Sequence, residues 1–145
     1  RLLLFLSKDA QGRFDVDALA TDGGGIPRNN MIAAGLALVA MGMLSLADFV
    51  RKASWVPSRV LGLAGKGHLG EGADADIAVV DRTTRRVRTT IAAGEIVMHE
   101  QVVFGRGSRF LTTEAGAEAV RAGGCEPVIM DLSQSGFYTG AGLKA

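Results

Sequence analysis

The sequence predicts an α/β chain, and three observations carry that prediction. Residues 31–63 read as successive apolar helical pieces. From Gly65 onward, β-branched runs alternate with glycine turns. Val16 to Asn30, VDALATDGGGIPRNN, sets a strand-like run, one acid and three glycines ahead of the first helix. Helix propensity, β-branched content and glycine punctuation are separate signals, and they agree on where each class of element lies.

Leu2 to Leu6 reads as the remainder of a strand or a helix, followed by a polar turn through Lys8, Asp9, Gln11 and Gly12. Val16, Ala18 and Ala20 alternate with Asp17, Leu19 and Thr21, which fits a short strand. Gly23, Gly24 and Gly25 then allow backbone dihedrals closed to other residues. Asp22 lies at the junction. An acid at the carboxyl end of a strand, before such a loop and a helix, stands where α/β barrels keep reactive groups; Asp-Gly is equally a common turn pair. Both readings stay open on the local sequence.

Pro27 and Asn30 open a helix from Met31 to Met41 that is apolar on nearly every face, so it is expected to be buried. Gly42 ends it, and Ser45 with Asp48 resembles a capping box for a helix over Leu46 to Ser54. That helix is expected to stop before Pro57, which suits the first turn of a short helix reaching Leu63. Strands follow at Ile77 to Val80, Val87 to Ala92 and, after a turn at Gly94, Ile96 to Phe104. Gly105 to Ser108 reads as a loop. Thr113 to Ala122 reads as a helix with Thr112 or Thr113 at its cap and Gly123-Gly124 as its stop, and Pro127 to Leu132 as one more strand. Ser133 to Ala145, small and polar with three glycines, reads as a flexible tail.

The 145 residues suffice for one domain with a core and are too few for a complete α/β barrel. Sixteen basic and fifteen acidic residues leave a net charge of +1, which gives no reason to expect nucleic acid or an acidic membrane surface. Arg82, Arg85, Arg86 and Arg88 cluster between two strand-like runs and read as a solvated hairpin. The single cysteine, Cys125, cannot form an internal disulfide, which fits a reducing, cytoplasmic setting and an idle thiol. Because the sequence starts at Arg1 and its first apolar run is too short for a signal peptide, the start reads as a cut through a larger protein. Met31 to Ala47 is uncharged and close to the length of a membrane span, but Gly42 and Ser45 divide it into pieces too short to cross.

Gly65-Lys66-Gly67-His68-Leu69-Gly70 has the spacing of a dinucleotide fingerprint, which requires a strand before it and a helix after it. Here the order is reversed, and Gly67 stands where a phosphate loop needs Ser or Thr after the lysine. A tight connection between two parts of the chain is the expected role. His68 and His99 are far apart and belong to no metal-binding pattern, so each reads as a surface or hairpin residue. Asp74 and Asp76 fall short of an oxygen shell for a hard cation and read as turn and strand-opening residues. No Gly-x-Ser-x-Gly elbow is present.

The segment Leu46 to Asp81, LADFVRKASWVPSRVLGLAGKGHLGEGADADIAVVD, resembles the carboxyl-terminal stretch of the amidohydrolase superfamily, in the branch of dihydroorotases, hydantoinases, D-aminoacylases and isoaspartyl dipeptidases. The shared features are a helix, a Pro-started helix ending in Leu-Gly-Leu, a Gly-rich link, Gly-x-Asp-Ala-Asp and a hydrophobic strand ending in Asp. The resemblance implies the final strand and helices of a metal-dependent TIM-like barrel over residues 1–64. It implies a segment of a small β-sandwich over residues 65–111, and it assigns nothing to residues 112–145.

It also implies a function: hydrolysis of non-peptide or cyclic amide C–N bonds in a small molecule, with a divalent metal, zinc first among the candidates, as one or two ions. Asp22 then falls on the acid that touches the metal and takes the proton from its water. Gly24, Arg28 and Asn29 border the substrate, Arg28 or Asn29 contacting a carboxylate or amide oxygen. The family's His-x-His, its lysine and its later histidines have no counterpart, so the chain alone is expected to hold no metal and to be inactive by itself. Val56 precedes Pro57 where relatives often have Asn. A homo-oligomer is compatible with this reading. The alternatives are a deaminase of the same superfamily and a non-enzymatic binding or assembly module that uses Met31 to Leu63 as an apolar face.

Overall fold

A computed structural model describes residues 6–20, 30–105 and 110–140. The first of these segments folds back through an isolated antiparallel bridge between Lys8 and Phe14. Residues 16–20 join no sheet, contrary to the strand expected from their alternation. Their partner is a helix: the Leu19 N–H donates to the Lys52 carbonyl at 2.9 Å, and a backbone group satisfied in this way leaves no ladder to build.

Helix α1 covers Met31–Ala40, and the side chain of Asn30 makes no cap bond to it. Expected to be buried all round, α1 buries only Gly35 and Leu36 fully. A helix is buried only where another element covers it, and here that element approaches at Gly35, whose missing side chain leaves room for the Phe49 ring against the backbone. The stop at Gly42 is a Schellman turn: its φ is +70°, its N–H donates to Val39 O, and the Met43 N–H donates to Leu38 O, both at 3.0 Å. Ser45 then caps helix α2, Leu46–Val50, accepting the Asp48 N–H at 3.0 Å.

The break expected before Pro57 does not occur. Helix α2 runs through a π-helical turn, Arg51–Trp55, straight into helix α3, Val56–Val60. Proline has no N–H to give and its ring crowds the carbonyl four residues back; a widened turn just before it relieves that conflict and keeps the chain helical. Leu36, Leu44 and Phe49 form the buried cluster between these helices, with Phe14, Leu19 and Val80 packed against it.

The strands form an antiparallel meander in the order β1 (Ile77–Asp81), β2 (Arg86–Ala92), β3 (Glu95–His99) and β4 (Val102–Val103). The arginine-rich hairpin lies between β1 and β2 as expected. The run Ile96 to Phe104, read as one strand, is a hairpin: Glu100 and Gln101 take φ of +44° and +70°, and His99 pairs with Val102. Positive φ at both central residues is the type I′ geometry that twists with its strands. Arg88 stabilises it without glycine by gripping the Glu100 carboxylate, while the Glu100 N–H donates to Arg88 O at 2.8 Å.

Beyond the sheet, β5 (Phe110–Thr112) pairs in parallel with β6 (Pro127–Ile129), so Thr112 belongs to a strand the sequence did not announce. The crossover holds a 3-10 turn, Glu114–Gly116, and helix α4, Ala117–Ala122. The β6 strand stops short of Leu132, because residues 132–134 form a 3-10 turn capped by Asp131. Nor is residue 133 onward simply a flexible tail. Ser135 is fully buried, its hydroxyl donates to Val60 O at the end of α3, and helix α5, Gly136–Thr139, follows from that anchor. A side chain at Gly62 would collide with the Asp131 carbonyl, so the segment docks directly on the backbone that leaves α3.

Candidate functional site

Residues 61–76 carry the chain from the helices to the sheet, and their polar groups are closed inward. Arg59 turns back over the end of α3 and donates to the carbonyls of Leu63, Ala64 and Lys66 at 2.8, 2.9 and 3.1 Å. These carbonyls belong to the link just past the helix, outside any helical ladder. Its guanidinium lies 4.5 Å from the Trp55 ring centroid, and His68 packs edge-on against the same ring.

Lys66, the lysine of the Gly-rich run, lies 2.7 Å from Asp74 Oδ2 and also bonds Asp76 Oδ2. The other oxygen of Asp76, Oδ1, accepts the Ala93 N–H at 2.7 Å, which ties the link to the turn between β2 and β3. The two acids thus share a cation supplied by the chain itself. Partial burial pulls the Lys66 pKa down, but the hydrogen bonds and charges of Asp74 and Asp76 outweigh it and hold the ammonium above the usual lysine value. Gly67 completes the link at φ +80°, its backbone so close to the joined helices that a Cβ would stand 2.5 Å from Ser54 O in the π-helical turn and 2.5 Å from Ser58 Oγ in α3. The dinucleotide reading therefore fails on structure as on order: a steric fit to a helix explains the glycine.

A second lysine gathers residues 14–19. Lys52 is buried at 4 % exposure; its ammonium donates to Val16 O and lies 4.2 Å from the Phe14 ring centroid. Burial pushes its pKa down, while the charges of Asp17 and Asp48 pull it back up. Asp22, Gly24, Arg28 and Asn29 themselves lie outside the described residues, so their mutual geometry is not part of this structure.

The side chains that are described do not make a metal site. Among the described residues no group of three or more His, Cys, Asp or Glu is placed to hold an ion. Both ring nitrogens of His68 are engaged, Nε2 at 2.9 Å from Ala64 O and Nδ1 accepting the Gly70 N–H at 3.1 Å. His99 Nδ1 lies 2.9 Å from Thr89 Oγ1 on the neighbouring strand. With Asp74 and Asp76 taken by Lys66, the described donors do not fit a divalent cation.

An open groove of about 1150 Å³ runs over the sheet, lined by Ile77, Thr90, Ile91, Met98 and Val103. Its wall mixes aliphatic side chains with the polar ones of Ser54, Thr90 and Glu95, and Asp76 at its edge is bonded to Lys66 and to the Ala93 N–H. Cys125 sits past the Schellman turn that ends α4, its N–H donating to Val120 O at 3.2 Å. Among the described residues no helix is long and apolar enough to cross a membrane. Sequence reasoning missed the roles of Arg59, Lys52 and Lys66. For Lys66 a signal existed in the two acids shortly after it; a lysine in a helix, as Lys52 is, ordinarily reads as solvated.

Comparison with known proteins bears on the same segment. The sequence model of the Amidohydrolase family matches residues 8–97. A dihydroorotase from Methanothermobacter thermautotrophicus is 42% identical over 55 residues, 37% of this chain and 13% of that protein. A dihydroorotase from Pyrococcus abyssi is 35% identical over 99 residues, covering 50% of this chain and 24% of that protein. The chain therefore spans about a quarter or less of these relatives' length, and no solved structure gives a significant match. The family match runs through α1, the joined helices, the clamped link, the first two strands and into the third, more than half of the sequence, and on that ground the chain belongs to the amidohydrolase family.

Proposed function

We propose that this chain is part of a metal-dependent hydrolase that opens cyclic or other non-peptide amide C–N bonds. In this reading residues 1–64 close a TIM-like barrel and residues 65–111 begin a small β-sandwich. The observation that carries it is the family match over residues 8–97, which spans helices, link and sheet together. The two dihydroorotase relatives favour a ring amide as the substrate class.

Asp22 is the proposed reactive acid. Water attacks the amide carbonyl carbon, Asp22 accepts the proton that water loses and passes it to the ring nitrogen, and the C–N bond breaks to leave a carboxylic acid and a protonated nitrogen (N–H) on one opened chain. Gly24, Arg28 and Asn29 border the substrate, with a cation and an amide side chain suited to its oxygens. Asp22 would also touch the divalent ion, zinc in the first instance, whose remaining ligands would come from elsewhere in the protein.

The experiment is an assay of the full-length protein with dihydroorotate, a hydantoin and a ring amine, following acid and ammonia separately. Acid release without ammonia is expected. Ammonia from the ring amine would replace the hydrolase by a deaminase, and no turnover of any of the three by metal-supplemented protein would leave a binding or assembly module.

A further inference from the structure

The link between helices and sheet is closed at its base by backbone bonds and at its tip by one imidazole. At the base the Asp74 N–H donates to Gly65 O at 2.8 Å and the Lys66 N–H to Leu63 O at 3.1 Å. At the tip the Gly70 N–H donates to His68 Nδ1 at 3.1 Å. A Cβ on Gly70 would stand 3.0 Å from that nitrogen, so glycine is what lets the ring come this close. The other side of the tip is open: Leu69 is 79 % exposed, and a Cβ on Gly72 would meet nothing within 4 Å.

The two partners of the ring fix its protonation. A carbonyl can only accept, so Nε2, 2.9 Å from Ala64 O, carries the hydrogen; a backbone N–H can only donate, so Nδ1 presents its lone pair. The ring is therefore the neutral Nε2–H tautomer. A second proton, on Nδ1, sets two N–H groups against each other and ends the bond to Gly70, while the bond to Ala64 survives. Ala64 O also accepts from the Arg59 guanidinium at 2.9 Å, so an imidazolium would share one carbonyl with a fixed positive charge. Trp55, which packs edge-on against His68 at 5.8 Å between centroids, supplies no charge. Lys66 is matched by Asp74 and Asp76, and Glu71 lies exposed within the tip.

We propose that His68 is an acid-released latch: the neutral ring holds the tip of the link, and a proton on Nδ1 frees residues 69–72 while the clamped base stays closed. Imidazoles ordinarily take up a proton at about pH 6.5, well above the range of carboxylates. Mild acid therefore opens the tip without touching the acids that clamp Lys66. The latch does not depend on the hydrolase chemistry.

The test is hydrogen–deuterium exchange of the full-length protein, read on peptides covering residues 68–73 and corrected for the intrinsic pH dependence of exchange. From about pH 7.5 to about pH 5.5, a range that brackets imidazole titration, wild-type protection at residues 69–72 should fall by about 3- to 10-fold, the worth of one hydrogen bond. Peptides from β2 and β3 should not change. His68→Asn, whose side-chain oxygen accepts the Gly70 N–H without titrating, should stay protected at both pH values. His68→Phe, which keeps a ring against Trp55 and has no acceptor, should be unprotected at both. Equal wild-type protection at the two pH values, a fall shared by β2 and β3, or a pH dependence that persists in His68→Asn would each overturn the latch. So would a tip in His68→Phe as protected as the wild type at neutral pH.

Discussion

Lys66 Nζ and Asp74 Oδ2 stand 2.7 Å apart, and this pair with its second acid, Asp76, is what closes the link between helices and sheet. The three side chains are partly exposed, so solvent screening leaves the network a modest contribution of about 1 kcal/mol. Lys66→Met should lower the thermal midpoint accordingly. The folded-state pKa of Lys66 is raised, so its contribution is complete below the unfolded lysine value of about 10.4. It fades as pH climbs through the higher folded value. The gap in midpoint between wild type and variant should hold at neutral pH and close only in the alkaline range; a gap that is constant with pH would show that the ammonium is not the source.

Gly67 and Gly72 make a matched pair of positions in the same link. Both have positive φ, but a Cβ at Gly67 would press on Ser54 O and Ser58 Oγ while one at Gly72 would meet nothing within 4 Å. Gly72→Ala carries only the backbone strain, about 1 kcal/mol, whereas Gly67→Ala adds a collision with a helix and should cost about 2 kcal/mol or more. Chemical denaturation of the two variants measures the difference. Equal losses would remove the helix contact as the reason for glycine in the Gly-Lys-Gly run.

The elements legible in the sequence are those whose signals are local. The Schellman stop at Gly42 and the Ser45 cap rest on residue types that act within one turn, and both form where the sequence placed them. The hairpin at Glu100-Gln101 lacks the Asn-Gly or Asp-Gly pair that announces a type I′ turn, because its geometry is secured by Arg88 on the adjacent strand. Ser135 reads as a tail residue until Val60, far earlier in the chain, accepts its hydroxyl. Pro57 failed as a stop because the π-helical turn before it absorbs the conflict that ordinarily ends a helix. Of the candidate site, the amide-hydrolase family was legible through the Leu46 to Asp81 pattern. Lys52 was not, since its partners Phe14, Val16 and Leu19 are close to it only in the folded chain.

Ser135 predicts how residues 131–140 come loose. Ser135→Ala removes the buried hydroxyl that serves Val60 O, a loss of about 1 kcal/mol, and should speed limited proteolysis within that segment more than elsewhere. Acid should act there too. The pKa of Asp131 is lowered, first by the Ser133 hydroxyl and then by the Ser133 N–H. Its contribution is therefore present above the ordinary aspartate value and is lost as pH falls through the lower folded one. Cleavage in residues 131–140 that is unchanged by Ser135→Ala would mean that α5 is held by other contacts.

Asp22→Asn tests the proposed chemistry most directly, because it alters the proposed proton carrier while preserving size and one oxygen. In the full-length protein the substitution should leave bound metal nearly unchanged, since one carboxylate is a small part of any ligand set that relies on histidines. It should lower kcat by about 10²- to 10⁴-fold, the usual worth of a positioned acid or base. KM should move far less, because proton transfer is felt in the transition state and hardly in the bound substrate. Metal analysis together with steady-state kinetics on the same preparations separates the outcomes: loss of metal would make Asp22 chiefly a ligand, and turnover equal to wild type would remove it from the mechanism altogether.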